Sequence, residues 1–554
     1  MKQLASKLGL KVDPAIFFIS AGLSLVFVIA LVVAPVTIGA AFSVGRSWIV
    51  TNLGWLFILG VNVWLGFLIY AAMSRHGHIR LGKRDSRPEY SNLSWFTMLF
   101  AGGIGTVLMF WGVAEPISHY QTPPLPGVMP FTIEAAQDAI SISLYHLALH
   151  TWTIFTLPGL AFAYFINRYD LPVRVSSVFY PLLREKIHGP IGKTIDIASI
   201  LGTLFGVAVS LGLGASQVAA GLSALFGWSD STLLRLMILG SLTAVATLSI
   251  MAGLDKGIRF LSNLNIGMAV GLMVFVLVFG SSLFLLRGVV ETFGLYLSNL
   301  PRLAFWNDML HGEGMGTGDW GWQGDWTVFY WTWTVTWSPF IGLFVARISR
   351  GRTIREFVFG VLLAPSLFTV IWFAIFGWQA MEMDGLGQLA RAAMGPAAGN
   401  ISSAVTESVP LAMFAFFEEL PWTPVMQGLA ILIVAIFFAT SSDSASLVVD
   451  MLSSGSATAG PVRQRVFWGL AEGLIAATLI LLAGEAGLTA LQEVITVVGL
   501  PIFLLVCLMI PSLIRGFAAE DIDHVTIGKR PALSEFDQNT PEEPASVSAP
   551  APKA

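Results

Sequence analysis

Three groups of residues in this 554-residue chain have types and spacings that carry chemistry. The densest is DWTVFYWTWTVTWSPF, residues 325–340, which holds four tryptophans, a tyrosine and two phenylalanines. Trp326, Tyr330, Trp333 and Trp337 recur at helical intervals and form one stripe, while Trp331, Thr334 and Ser338 fall on a neighbouring face. Tryptophan faces attract cations by about 0.5–2 kcal/mol each, which suits quaternary ammonium groups. Trp326 follows Asp325 at the helix start and is expected in an aromatic belt at a membrane surface. Trp333 and Trp337 lie two to three turns deeper, beyond a belt. The second group is FFATSSDSAS, residues 437–446, in which Phe437, Thr440, Ser441 and Ser444 share a face. Short hydroxyls and freed carbonyls supply the several oxygens that a sodium ion needs, although hydroxyls in membrane helices also bond back to the preceding turn. Asp443 sits on a different face, as a functional candidate or a capped structural group. The third group is LYHLALHTWTIF, where His146 and His150 stand at i, i+4. That spacing binds metals, but no third ligand is evident, and hydrogen bonding between helices is the expectation. The absence of a nucleophile elbow, a P-loop and HExxH argues against an enzyme or an ATP-driven pump.

These residues sit in a chain built for a membrane. It is 55% hydrophobic and 12% charged, with mean hydropathy +0.75, where soluble domains carry about 25% charge. A net charge of −4 implies no nucleic-acid partner, and the single cysteine, Cys507, excludes a disulfide within the chain and a Cys-based metal site. Crossing a bilayer takes about 20 apolar residues in a helix. Twelve stretches qualify, at 15–37, 48–73, 93–113, 136–167, 194–225, 230–252, 263–298, 326–346, 355–379, 427–453, 464–484 and 490–514. The first has too long an apolar core for a signal peptide and is read as a retained span. With the N-terminus inside, all of the 30 Lys and Arg except Arg46, Arg235, Arg287, Arg302 and Arg391 fall in cytoplasmic segments, as the positive-inside rule requires. Both termini are therefore expected in the cytoplasm.

The fold class expected is an all-α polytopic membrane protein of twelve transmembrane helices. Its segments are a cytoplasmic N-tail (1–14), two N-terminal helices (15–92), a first set of five (93–298), a periplasmic loop with a short helix (299–325), a second set of five (326–514) and an acidic disordered tail (515–554). Residues 380–426 form a long outer insertion whose ESVPLAMFAFFEELPW is expected to lie at the interface. Spans three and eight carry AGGIG (101–105) and TWSP (336–339), which weaken helical backbone. Interrupted helices at matching places in two halves point to a transporter's midplane site, and a kink with packing glycines is the alternative.

Four segments then resemble one family in the right order: WTVFYWTWTVTWSPFIGLFVARISRGRTIREF (326–357), AGGIGTVLMFWGVAEP (101–116), SLGLGASQVAAGL (210–222) and TSSDSAS (440–446). They resemble the betaine/choline/carnitine transporter (BCCT) family over residues 12–515. The resemblance implies two inverted five-helix repeats, spans three to seven and eight to twelve, working by alternating access. It also implies a homotrimer in the plasma (inner) membrane, with a short helix near 301–311 at the subunit interface. Sodium-coupled members would place one ion at the positions of Ala101, Ile104, Phe437, Thr440 and Ser441. No Arg or Lys within spans five or ten stands in for the ion, which favours symport over a sodium-independent antiporter. At a second sodium position Thr203 and Phe340 match, but Val207 and Phe155 remove oxygen ligands, so one sodium per cycle is expected.

The resemblance also implies a trimethylammonium cage, whose positions here read Leu147, Trp152, Phe155 and Thr334. Only Trp152 keeps its aromatic type, with Trp333 and Trp337 beside the path and Gly103 and Gly105 in the glycine stretch. Losing two ring faces removes on the order of 1–4 kcal/mol of cation–π attraction, while Thr334 brings a hydroxyl. Val107 stands where choline carriers place an aspartate. The function expected is thus sodium-coupled import of a small zwitterionic compatible solute or nutrient other than glycine betaine, such as taurine, ectoine or a dimethylsulfonium compound. Na+ is the coupling ion, with no organic cofactor and membrane lipids as surroundings. The alternatives are an antiporter of the same family and, more distantly, a ligand sensor or channel.

Overall fold

The computed structural model describes the chain except for residues 84, 102–104, 253–254, 310–320, 387–398, 484–487 and 521–554. Its long helices are α1 (Pro14–Val33), α2 (Pro35–Met73), α3 (Asn92–Ala101), α4 (Gly105–Gln121), α5 (Ile133–Leu147), α6 (Leu149–Phe162), α7 (Pro190–Phe226), α8 (Thr232–Ala252), α9 (Asp255–Phe279) and α10 (Ser282–Ala304). They continue with α11 (Phe329–Ile348), α12 (Ile354–Met383), α13 (Asn400–Glu407), α14 (Ala412–Glu418), α15 (Thr423–Ser454), α16 (Val462–Ala483) and α17 (Leu488–Ala518). Among the described residues there is no strand, and one isolated antiparallel bridge joins Arg80 to Thr353.

Ten described helices are long and apolar enough to cross a membrane, by length and composition. Burial sorts the helices into two rings. Nearly every residue of α5, α6 and α11 is buried, polar ones included. By contrast α1, α8 and α10 expose Leu25, Val26, Val32, Leu233, Met237, Val245, Leu248, Leu283 and Val290. So many exposed apolar side chains fit a hydrocarbon surround, in which helices satisfy their own backbone groups. This is an integral membrane protein.

Helix starts follow local chemistry. Asp13 caps α1 by accepting the amides of Ala15 (3.0 Å) and Ile16 (3.4 Å), with Pro14 in the first turn. Thr353 and Glu356 form a reciprocal capping box at α12. Most of the basic residues gather at one end. There Leu81 N–H donates to the Arg352 carbonyl (2.8 Å), and Lys193 Nζ lies 3.0 Å from Asp13. Arg46 pairs with Asp325, and Arg302 with Asp138, at the opposite end.

Several expectations need correction. The stretch 263–298 is two helices, α9 and α10, separated at Gly280–Ser281, and α10 itself runs to Ala304 where a separate short helix was expected. Pro339 does not interrupt α11, which runs through it as far as Ile348. Ser338 donates its hydroxyl back to the Val335 carbonyl in this stretch. In the insertion, Met413, Phe414, Phe416 and Phe417 of α14 are packed inside the protein, where Gln427 holds the Phe414 carbonyl and Gly221 leaves room for its ring. The tail begins later than residue 515. Arg168 grips the Glu520 carboxylate through Nε (2.6 Å) and Nη2 (2.7 Å), and the hydroxyls of Tyr164 and Tyr169 donate to the same group. Beyond residue 520 the expected disorder lies outside the described residues.

One interruption carries no sequence mark. The span at 136–167 is divided at Ala148, whose backbone (φ −103°, ψ −114°) leaves the helical region without glycine or proline nearby. The Leu149 N–H freed there donates to the Tyr296 hydroxyl (3.2 Å), so tertiary contact makes the break tolerable.

Candidate substrate and ion site

The break at Ala148 leaves Leu147 at the end of α5 and Thr151 in the first turn of α6, both facing a cavity against α11. Its walls are Val107, Leu147, Thr151, Phe155, Tyr330, Trp333, Thr334 and Trp337, closed around a cavity of about 20 Å³, so side chains have to part to admit a solute. α6 and α11 reach each other because Gly159 and Gly342 meet: a Cβ on Gly342 would stand 3.0 Å from the Gly159 nitrogen. Five of the substrate residues read from the sequence, Leu147, Phe155, Trp333, Thr334 and Trp337, are thus brought together. Trp152 is not a wall. It is fully buried behind Phe155, edge-on at 5.7 Å. Thr151 and Tyr330 were not singled out as walls. Tyr330 belongs to the aromatic stripe, so that signal was present, whereas Thr151 depends on the unmarked break.

Hydroxyls along α11 separate into two kinds. Thr332, Thr336 and Ser338 turn back onto the carbonyls of Val328, Trp333 and Val335. Thr334, in the cavity wall, has no hydrogen-bond partner among the described residues. The ring N–H of Trp333 donates to Ser210 Oγ (3.1 Å), tying α11 to α7, but the buried Trp337 N–H has no partner among the described residues. A mostly aromatic and aliphatic cavity therefore offers one free hydroxyl, and a free N–H belongs to one of its walls. Those are the groups that orient a small polar ligand.

Tyr330 is held from behind. Its hydroxyl donates to Glu115 Oε2 (2.7 Å), and Glu115 Oε1 lies 2.6 Å from His146 Nδ1 and 3.5 Å from His119 Nε2. His146 Nε2 lies 3.0 Å from Thr327 Oγ1. His150 instead meets Asn62 Oδ1 at 3.1 Å. The i, i+4 spacing of the two histidines is therefore not a shared site, since Ala148 lies between them and turns them apart. Interhelical hydrogen bonding, the expectation for this pair, is what they make. Trp326, expected in a belt, is half-buried, with its ring edge-on to His119 at 4.4 Å.

Of the residues read as sodium ligands, Ile104 lies outside the described residues, as does Gly103 of the substrate set. Ala101 closes α3, and Gly105 opens α4 directly against Phe437: a Cβ on Gly105 would stand 1.8 Å from the Phe437 ring. Thr440 donates its hydroxyl to the carbonyls of Ile436 (2.9 Å) and Phe437 (3.2 Å), which leaves its oxygen lone pairs open to a cation. Ser441 is half-buried next to it. Thr203, from the second sodium position, bonds back to Ser199. The sequence also gave no hint of Glu472, a buried carboxylate on α16 that accepts from Ser442 (3.1 Å) and Ser446 (3.4 Å) beside Asp443.

Comparison with known proteins agrees with this architecture. A family model described as BCCT, betaine/carnitine/choline family transporter, matches residues 15–522. An ectoine/glycine betaine/proline transporter, EctP of Corynebacterium glutamicum, is 44% identical over 93% of this chain and 82% of its own length. A probable glycine betaine transporter of Desulfitobacterium hafniense is 38% identical over 92% of this chain and 98% of its own. The glycine betaine transporter OpuD of Bacillus subtilis is 37% identical over 92% and 96%. These relatives are transporters and not enzymes, and the chain belongs to the betaine/carnitine/choline transporter family.

Proposed function

We propose that the protein is a sodium-coupled symporter importing small zwitterionic compatible solutes, with preference for those that carry an N–H on their cationic group, as ectoine and proline do. The observation that carries this is the free Thr334 hydroxyl in the cavity wall. A trimethylammonium group has no N–H and depends on surrounding aromatic faces. Leu147 and Thr334 occupy two walls where such faces would stand, leaving Phe155, Tyr330, Trp333 and Trp337. An N–H cation gains a hydrogen bond to Thr334 Oγ1, while the Trp337 N–H is a donor for the solute's carboxylate. The relative named as an ectoine/glycine betaine/proline transporter supports the compatible-solute class, while the preference within it rests on Thr334.

Sodium would bind where α4 meets α15, using the Thr440 and Ser441 oxygens with backbone of Ala101, Ile104 and Phe437. The basic end would face the cytoplasm, with alternating access through two inverted repeats in a homotrimer. Uptake in a strain lacking other solute carriers, with ectoine, proline and glycine betaine compared in sodium and in potassium buffer, tests the proposal. Ectoine and proline should enter only with sodium and compete better than glycine betaine. Uptake that persists after the sodium gradient is collapsed would establish the antiporter instead, and preferred transport of glycine betaine would overturn the solute assignment.

A further inference from the structure

Behind the cavity, and independent of which solute is carried, Glu115 and His119 stand at i, i+4 on α4 while His146 reaches them from the last turn of α5. One ligand atom from each residue lies within 4.8 Å of the other two. All three side chains are buried, and His119 Nε2 has no hydrogen-bond partner although it points at Glu115 Oε1 from 3.5 Å. Among the described residues no Lys or Arg reaches the Glu115 carboxylate; its only ion-pair partners are the two imidazoles.

We propose that Glu115, His119 and His146 form an inhibitory site for one divalent ion of the zinc class. Two imidazoles and a carboxylate are a zinc-type donor set, unlike the all-oxygen sets that magnesium and calcium take. Two ligands one turn apart on a helix with a third from its neighbour is how helix bundles build such sites. Metal bonds of about 2.0–2.2 Å in a tetrahedron put donors about 3.3 Å apart. The His119–Glu115 distance already fits, and the His146–Glu115 pair has to open by several tenths of an ångström. The outward-turned atoms are tethered, Glu115 Oε2 by Tyr330 and His146 Nε2 by Thr327, which fixes ligand orientation as outer partners of metal sites do. His119 lies in the last turn of α4, at the end away from the basic loops, and is covered there by the half-buried rings of Trp322 and Trp326. An ion arriving past those rings exchanges the hydrogen-bonded contact between α4 and α5 for a fixed link. It thereby immobilises Tyr330, a wall of the solute cavity.

The test uses the purified full-length chain and cobalt(II) as a spectroscopic stand-in. Saturable binding of one cobalt ion, with visible absorption bands of four- or five-coordinate nitrogen–oxygen ligation, is expected. Zinc should displace it and magnesium should not. His119→Ala and the bulkier His119→Gln should weaken binding at least tenfold, because each removes a ligand whose Nε2 has no hydrogen bond to lose. His150→Ala, which alters the neighbouring histidine outside the cluster, should bind as the parent does. In proteoliposomes, zinc added on the side of Trp322 should inhibit solute uptake, with half-inhibition shifted at least tenfold by His119→Ala relative to that variant's own metal-free rate. Absence of cobalt binding, equal binding after loss of His119, or inhibition that follows His150 would overturn the proposal. None of these outcomes bears on whether solute is carried without metal.

Discussion

Replacing Thr334 with valine exchanges a hydroxyl for a methyl group of nearly the same volume. The packing of the wall is retained, and the change reads the hydroxyl alone. Among the described residues that hydroxyl makes no hydrogen bond, so its removal breaks no contact seen in the wall. A hydrogen bond to a charged partner contributes about 1.5–3 kcal/mol. At about 1.4 kcal/mol per tenfold change, Thr334→Val should therefore raise the KM for ectoine and proline about 10- to 150-fold. Glycine betaine, which has no N–H to donate, should change less than threefold. The assay is initial-rate uptake in proteoliposomes at saturating sodium, with all three solutes measured on the same preparation. Equal losses for the three would refute the reasoning, because they would place Thr334 in general packing or in the transport cycle. Selective loss of glycine betaine would reverse it.

Three further outcomes follow from close contacts. Gly105→Ala drives a methyl into the Phe437 ring, so it should destabilise by about 1–3 kcal/mol and raise the sodium concentration needed for uptake. Combining it with Phe437→Leu should recover part of both losses, and strict additivity in thermal unfolding would count against the contact. Glu520→Gln leaves the Arg168 guanidinium buried without its counter-charge, which costs about 3 kcal/mol. Hydrogen exchange over residues 515–520 should rise, and unchanged protection would show that the ion pair does not hold this segment. Tyr296→Phe strands the part-buried Leu149 N–H at a cost of about 1 kcal/mol, so the melting temperature should fall while Leu297→Ala on the exposed face of α10 leaves it alone.

The transmembrane character and most cavity walls were legible because hydropathy and the aromatic stripe are local signals. Leu147, Phe155, Trp333, Thr334 and Trp337 needed only registration with a familiar motif. What stayed hidden depends on contacts between distant segments. The Ala148 break is made tolerable by Tyr296, 148 positions further along the chain, so no glycine or proline announces it. His119 and Glu115 are an ordinary i, i+4 pair until α5 presents His146. Trp152 matched the cage position yet stands behind Phe155, since ring order along a helix does not say which ring faces the cavity. The proline at 339 misled in the opposite sense, as a recognised helix breaker that α11 accommodates without a break.

The interruption at Ala148 also bears on how such a carrier changes its diet over generations. Leu147 and Thr151, either side of it, line the same cavity from two separately anchored pieces of helix. The Thr151 hydroxyl reaches back across the break to the His146 carbonyl, so a change of residue at that wall is felt by the Glu115 network that steadies Tyr330.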